Sequence, residues 1–150
     1  MNRVVISVSL LLGLACHPSA SGVDPAPAAE ATLNAFLRAA SDSNLAVMAD
    51  NWGTSRGSAG ATHVPPDYQK RIVIIQVYLA GYRHRILTNE PSQQSSNQRE
   101  LQVELSKPGC LKVIPFTLVR SGRRWLVFQF DLERIGNPAK SCEVADSTRS

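Results

Sequence analysis

The side chains able to do chemistry are few and scattered. Three cysteines, Cys16, Cys110 and Cys142, supply thiols, and neither of the last two has a second cysteine or a histidine at zinc-ligand spacing. Tyr78, Tyr82, His84 and Asp131 are the polar candidates for lining a ligand pocket. A general acid and base must reach the same reacting group, but Asp131 alternates with the apolar Phe128, Phe130 and Leu132 and is expected to face solvent. No catalytic residue is therefore assigned. The run GTSRGSAGATHV from Gly53 to Val64 is rich in glycine, yet it holds neither GxxxxGK[ST] nor GxGxxG. It is expected to be a flexible loop, with His63 a solvated residue at its end. No metal and no cofactor are called for.

The amino-terminal residues carry a different chemistry. Arg3 precedes the uncharged apolar run Val4 to Leu14, 11 residues long, too short to cross a bilayer core of about 30 Å as a helix. An early arginine, an apolar run and then small residues form the pattern of a secretory signal peptide. Leu12-Gly13-Leu14-Ala15-Cys16 is similar to the lipobox of bacterial lipoproteins. The resemblance implies cleavage after residue 15 and a lipid on Cys16, which would hold the protein to a bacterial membrane. The alternative is ordinary cleavage after Ser19-Ala20-Ser21, which discards Cys16 and gives a soluble periplasmic or secreted protein. Three cysteines in an exported chain leave one thiol over, and lipidation of Cys16 removes that surplus. Cys110 and Cys142 then remain as a disulfide pair in an oxidising compartment, the alternative being two buried free thiols.

Composition bounds the rest. The chain has 150 residues, 43% hydrophobic and 19% charged, which suits one globular domain. Its net charge of +4 is dispersed, and the basic residues lack the interleaved aromatic side chains of a nucleic-acid platform, so nucleic acid is not an expected partner. Residues 1–15 read as signal peptide, 16–27 as a flexible tether, 28–144 as a single α+β domain and 145–150 as a disordered tail.

The elements follow from apolar periodicity. From Ala28, the spacing of Leu33, Phe36, Leu37 and Ala40 predicts an amphipathic helix with Glu30 in its first turn. Ser41-Asp42-Ser43 offers caps for a second, shorter helix in which Leu45, Met48, Ala49 and Trp52 face the core and Gly53 marks the end. In residues 66–80, Tyr68, Ile72, Ile75 and Leu79 fall on one helical face and Gly81 suits the position after the last turn. A competing reading pairs Ile72–Leu79 with Tyr82–Thr88 as a hairpin. A strand follows from Tyr82, then the polar run Glu90–Gln98 as a loop, then Glu100–Ser106 with Leu101, Val103 and Leu105 facing in. Leu111–Val119 and Arg124–Leu132 read as a long hairpin turning through Arg120-Ser121-Gly122-Arg123. Its basic tip, Arg120, Arg123 and Arg124, is a further conceivable anion-binding surface. The fold class is α+β, with amino-terminal helices packed on a curved antiparallel sheet of about four strands.

The segments FLRAASDSNLAVMADNW and SGRRWLVFQF, in this order of elements, resemble the nuclear-transport-factor-two-like superfamily, which includes ketosteroid isomerase and polyketide cyclases of the SnoaL type. The similarity spans about residues 28–135 and departs from the common pattern in having no strand pair before the third helix. It implies a sheet wrapped around helices with a concave pocket. The expectation is thus an exported, lipid-anchored envelope protein with a non-catalytic domain that binds a small hydrophobic ligand or an envelope protein. The alternative is a small isomerase, cyclase or hydrolase acting on a hydrophobic ligand in that concavity.

Overall fold

The computed structural model describes residues 25–140 and residue 142. The signal peptide, Cys16, residues 16–24 of the expected tether and the tail from residue 145 lie outside the described residues.

Helix α1 (Pro25–Ser41) buries Leu33, Phe36, Leu37 and Ala40 along one stripe, as their spacing requires. It starts at Pro25, inside the segment read as tether, because proline's missing N–H costs nothing in a first turn. Glu30 consequently sits in the second turn, not the first. Helix α2 (Leu45–Asn51) is capped by Asn44, whose Oδ1 accepts from Val47 N–H at 3.1 Å. The Ser41-Asp42-Ser43 cap is thus displaced to the next residue. Met48 and Ala49 are buried, whereas Leu45 is exposed and Trp52 only half-buried.

The glycine-rich stretch is not a loose loop. Strands β1 (Gly53–Thr54) and β2 (Gly57–Ser58) pair antiparallel and lead into a single helical turn, α3 (Ala59–Thr62), so a short strand pair does precede the third long element. Glycine at position 53 answers a close approach, not a need for flexibility: a Cβ there would collide with the Gly57 carbonyl oxygen and come within 2.8 Å of the Ser58 Cα. Both obstacles are backbone and cannot rotate away. Gly53→Ala is expected to cost about 1–3 kcal/mol, the usual penalty of overpacking, read as a lowered urea midpoint with an unchanged m-value.

Helix α4 (Tyr68–Leu79) settles the ambiguous segment as helical, with Ile72, Ile75 and Leu79 buried, Tyr68 packed partly against the core and Gly81 at φ +77° just beyond the end. A four-strand antiparallel sheet follows in sequential order: β3 (Arg83–Pro91), β4 (Gln98–Lys107), β5 (Cys110–Ser121) and β6 (Arg124–Phe130). The polar run is mostly strand at its margins, so the loop shrinks to residues 92–97. Leu101, Val103 and Leu105 face the core as their alternation demands, opposite Phe116, Ile114 and Lys112. The last strand stops at Phe130, and Leu132 belongs to a short helix, α5 (Leu132–Ile135), capped by Asp131.

Two bulges interrupt the sheet, one between Ile86 and Thr88 on β3 and one opposite Thr117/Leu118 on β6, where Phe128 is the extra residue. Both lie on edge strands. The helices cover one face of the sheet, where α1, α4 and the inward strand residues form a single apolar cluster. Phe116 and Phe130 stack with centroids 4.5 Å apart, and Phe36 meets Phe130 edge-on at 6.1 Å. At one end of the sheet Arg99, buried on β4, donates through Nε to Asn89 Oδ1 at 2.6 Å, and the Asn89 amide donates to the Ala26 carbonyl at 2.9 Å and to Glu30 Oε1 at 3.0 Å. This satisfied polar chain ties the first turns of α1 to the sheet.

Candidate functional site

The four pocket residues expected from sequence are not brought together. Tyr82 is buried beside the cysteines, its hydroxyl 3.3 Å from Cys110 Sγ and 3.7 Å from Cys142 Sγ, with the Lys107 ammonium 4.4 Å from its ring centre. The sulfurs of Cys110 and Cys142 lie at bonding distance, with Cα atoms 5.4 Å apart. Tyr82 therefore packs around a cross-link. Tyr78, half-buried on α4, lies against the core. Asp131 is exposed, and its Oδ1 accepts from Glu133 N–H at 2.9 Å and Arg134 N–H at 3.3 Å, so its carboxylate serves as a helix cap. His84 sits on β3 at one edge of the sheet and Asp131 just past β6 at the other. Three strand spacings separate them by roughly 14 Å across the sheet. The register adds a second offset, because His84 aligns with Leu105 and Phe130 with Phe116 and Leu101. One substrate atom cannot touch both.

His84 does have a defined setting. Its Nε2 donates to Asn34 Oδ1 on α1 at 2.9 Å, and burial, reinforced by the nearby Arg38 guanidinium, pushes its pKa below the usual imidazole value. The fold thus favours the neutral ring. The unfolded chain binds more protons than the folded one as pH drops through the unfolded histidine value near 6.5, so the contribution is fully present above that pH and is lost on acidification. His84→Gln is expected to flatten the fall in urea midpoint between pH 7.5 and pH 5, and an unchanged pH profile would contradict this assignment.

At the hairpin tip, Arg124 donates to the Asp50 carbonyl at 3.1 Å and Arg120 to the Gly122 carbonyl at 3.1 Å. Two of the three arginines therefore have structural partners. Among the described residues no group of three or more His, Cys, Asp or Glu side chains gathers where it could hold a metal ion.

The feature that periodicity missed is a groove between α4 and the outer edge of β6. It encloses about 530 Å³, with an apolar lining that includes Trp52, Ile74, Ile75, Phe128 and Phe130, and its rim carries Asp67, Lys70 and Arg71. Its volume lies within the range of small-molecule sites. Three local devices build it. Trp52, just past α2, bridges to Val127 and so lies beside β6; the β6 bulge leaves Phe128 unpaired and 37% exposed; and α4 presents Ile74, 42% exposed, from its outer side. The legible signal was the apolar excess of IVIIQVYL, which is more than one buried stripe can use. A second hollow, lined in part by Thr117, Asp131 and Glu133, adjoins through Gln129, Phe130 and Leu132. On the rim, Arg71 Nε pairs with Asp67 Oδ1 at 2.9 Å, and that guanidinium holds the Asp67 carboxyl below the usual carboxylate range.

Comparison with known protein families, curated proteins and solved structures gives no match.

Proposed function

We propose that this chain is an exported, lipid-anchored protein of the bacterial cell envelope whose domain binds a small hydrophobic ligand. The observation that carries the binding reading is the groove between α4 and β6, where Trp52, Ile74 and Phe128 leave apolar surface open to solvent. Apolar surface of this kind is stabilised when a ligand removes it from water, at about 25 cal/mol per Å². Ile74 and Phe128 are held by a helix and a bulged strand, so little ordering cost attends binding. The anchor reading is supported by the early arginine, the apolar run and Ala15-Cys16. It also accounts for the odd thiol once Cys110 and Cys142 are bonded to each other.

Intact mass spectrometry of the protein from the membrane fraction of a bacterial host tests the anchor. The expected species begins at Cys16 and carries a diacylglyceryl group on that residue. A lipid-free chain beginning near Gly22 would overturn it and make this a soluble exported domain.

A further inference from the structure

The rim of the groove is asymmetric in charge, and that asymmetry selects among apolar ligands. Arg71 is committed to Asp67. Lys70 is not: among the described residues its ammonium has no carboxylate within salt-bridge distance, and it acts on Asp67 only through its field. Lys70 and Ile74 stand four residues apart on α4, hence one above the other on the same helical face, and both line the groove. With Asp67 offset by Arg71, the charged residues lining the groove keep one net positive charge, carried on the same face of α4 as Ile74. The first turn of α4 adds to it, since the positive end of the helix dipole lies there.

The same geometry argues against an extended peptide. A peptide added to the edge of β6 needs a regular ladder of free backbone groups, and the bulge at Phe128 breaks that ladder where the groove runs. Phe128 itself is partly exposed and lines the groove.

We propose that the groove binds a single anionic amphiphile of the fatty-acid class, its chain along Trp52, Ile74, Ile75 and Phe128 and its carboxylate at Lys70. This rests on the groove being a binding site and specifies which ligands it takes. The carboxylate gains a charge-assisted contact with the ammonium. Being solvent-exposed, that contact is worth about fivefold in affinity.

The test uses the full-length chain carrying Cys16→Ser, so that no acyl group of its own competes, titrated calorimetrically without detergent. The probes are laurate, dodecanol and dodecyltrimethylammonium below their micellar concentrations. Laurate is expected to bind at one site per chain, about fivefold tighter than dodecanol, with the cationic probe weakest. Lys70→Glu should weaken laurate about tenfold and leave dodecanol unchanged. Ile74→Glu should abolish both. Ile74 and Lys70 are exposed, so neither substitution disturbs the core. Equal binding of laurate and dodecanol would overturn the charge selection while leaving the groove a binding site. No binding of any probe would overturn both. A dimer in light scattering that Ile74→Glu dissociates, with no laurate bound, would assign the groove to a second copy of the chain and also overturn the proposal.

Discussion

Replacing Phe116 by alanine is expected to lower the stability of the domain by about 3–5 kcal/mol, a large share of what a domain of this size possesses. Phe116 is fully buried in the middle of β5, with Leu101 opposite on β4 and Phe130 opposite on β6. Its ring stacks on Phe130, which in turn meets Phe36 of α1. The truncation therefore removes the ring that backs Phe130 in a three-ring contact joining sheet edge and helix, and little around it can collapse into the space. The loss divides into transfer free energy, cavity and aromatic contact. A urea or guanidinium titration followed by circular dichroism measures it. A change under 1 kcal/mol would show that the ring contact is not where the sheet and α1 are joined. Because the cavity opens on the side of Phe130, which also lines the groove, Phe116→Ala should weaken amphiphile binding as well as stability.

Breaking the link between Cys110 and Cys142 comes next in size. The two residues are 32 positions apart in sequence, and closing a loop of that length lowers the entropy of the unfolded chain by an amount worth about 3–4 kcal/mol. The link runs from the first residue of β5 to a residue past α5, so it fastens the end of the chain to the sheet. Cys110→Ser with Cys142→Ser is expected to lower the unfolding midpoint substantially. The same shift should follow addition of a reductant to the wild type. The reductant should leave the double variant unaffected, and that pairing separates the cross-link from packing changes. Tyr82 supplies an internal reporter, since its hydroxyl touches both sulfurs.

These two effects were legible to very different degrees before the fold was seen. The apolar face of β4 is written in period-two alternation, and only one face can be buried without exposing Leu101, Val103 and Leu105; the hairpin of β5 and β6 shows instead in its β-branched and aromatic content on either side of the turn at Gly122. The helix at residues 68–79 was ambiguous because its composition is apolar on nearly every side. The four residues Tyr68, Ile72, Ile75 and Leu79 predicted its buried face correctly, but no local pattern says what Val73, Ile74 and Val77 do. The groove escaped for the same reason. It depends on Trp52 returning to lie beside Val127 and on a bulge at Phe128, and both are long-range outcomes that a one-residue change of register would erase. Tyr78, Tyr82, His84 and Asp131 read as candidates for lining one pocket, and the fold does not bring them together; Asp131 is exposed. Tyr82 and His84 find their partners, a cross-link and Asn34, in segments tens of residues away, whereas Asp131 caps the helical turn that follows it directly. Gly53 misled in another sense, since glycine serves close backbone approach as well as freedom of rotation, and sequence does not distinguish the two.

The clamps at the two extremities of the described chain have a mechanical consequence. Asn89 holds Ala26 and Glu30 at the end of the sheet where β3 finishes, while the cross-link holds Cys142 at the opposite end, where β5 begins. Tension applied between residues 26 and 142 therefore travels along the strands, not across them. Hydrogen bonds between antiparallel strands lie perpendicular to that direction, so the load is shared by many of them in shear and they must yield together. A domain built this way resists being pulled open from its ends far better than one whose strands peel apart singly.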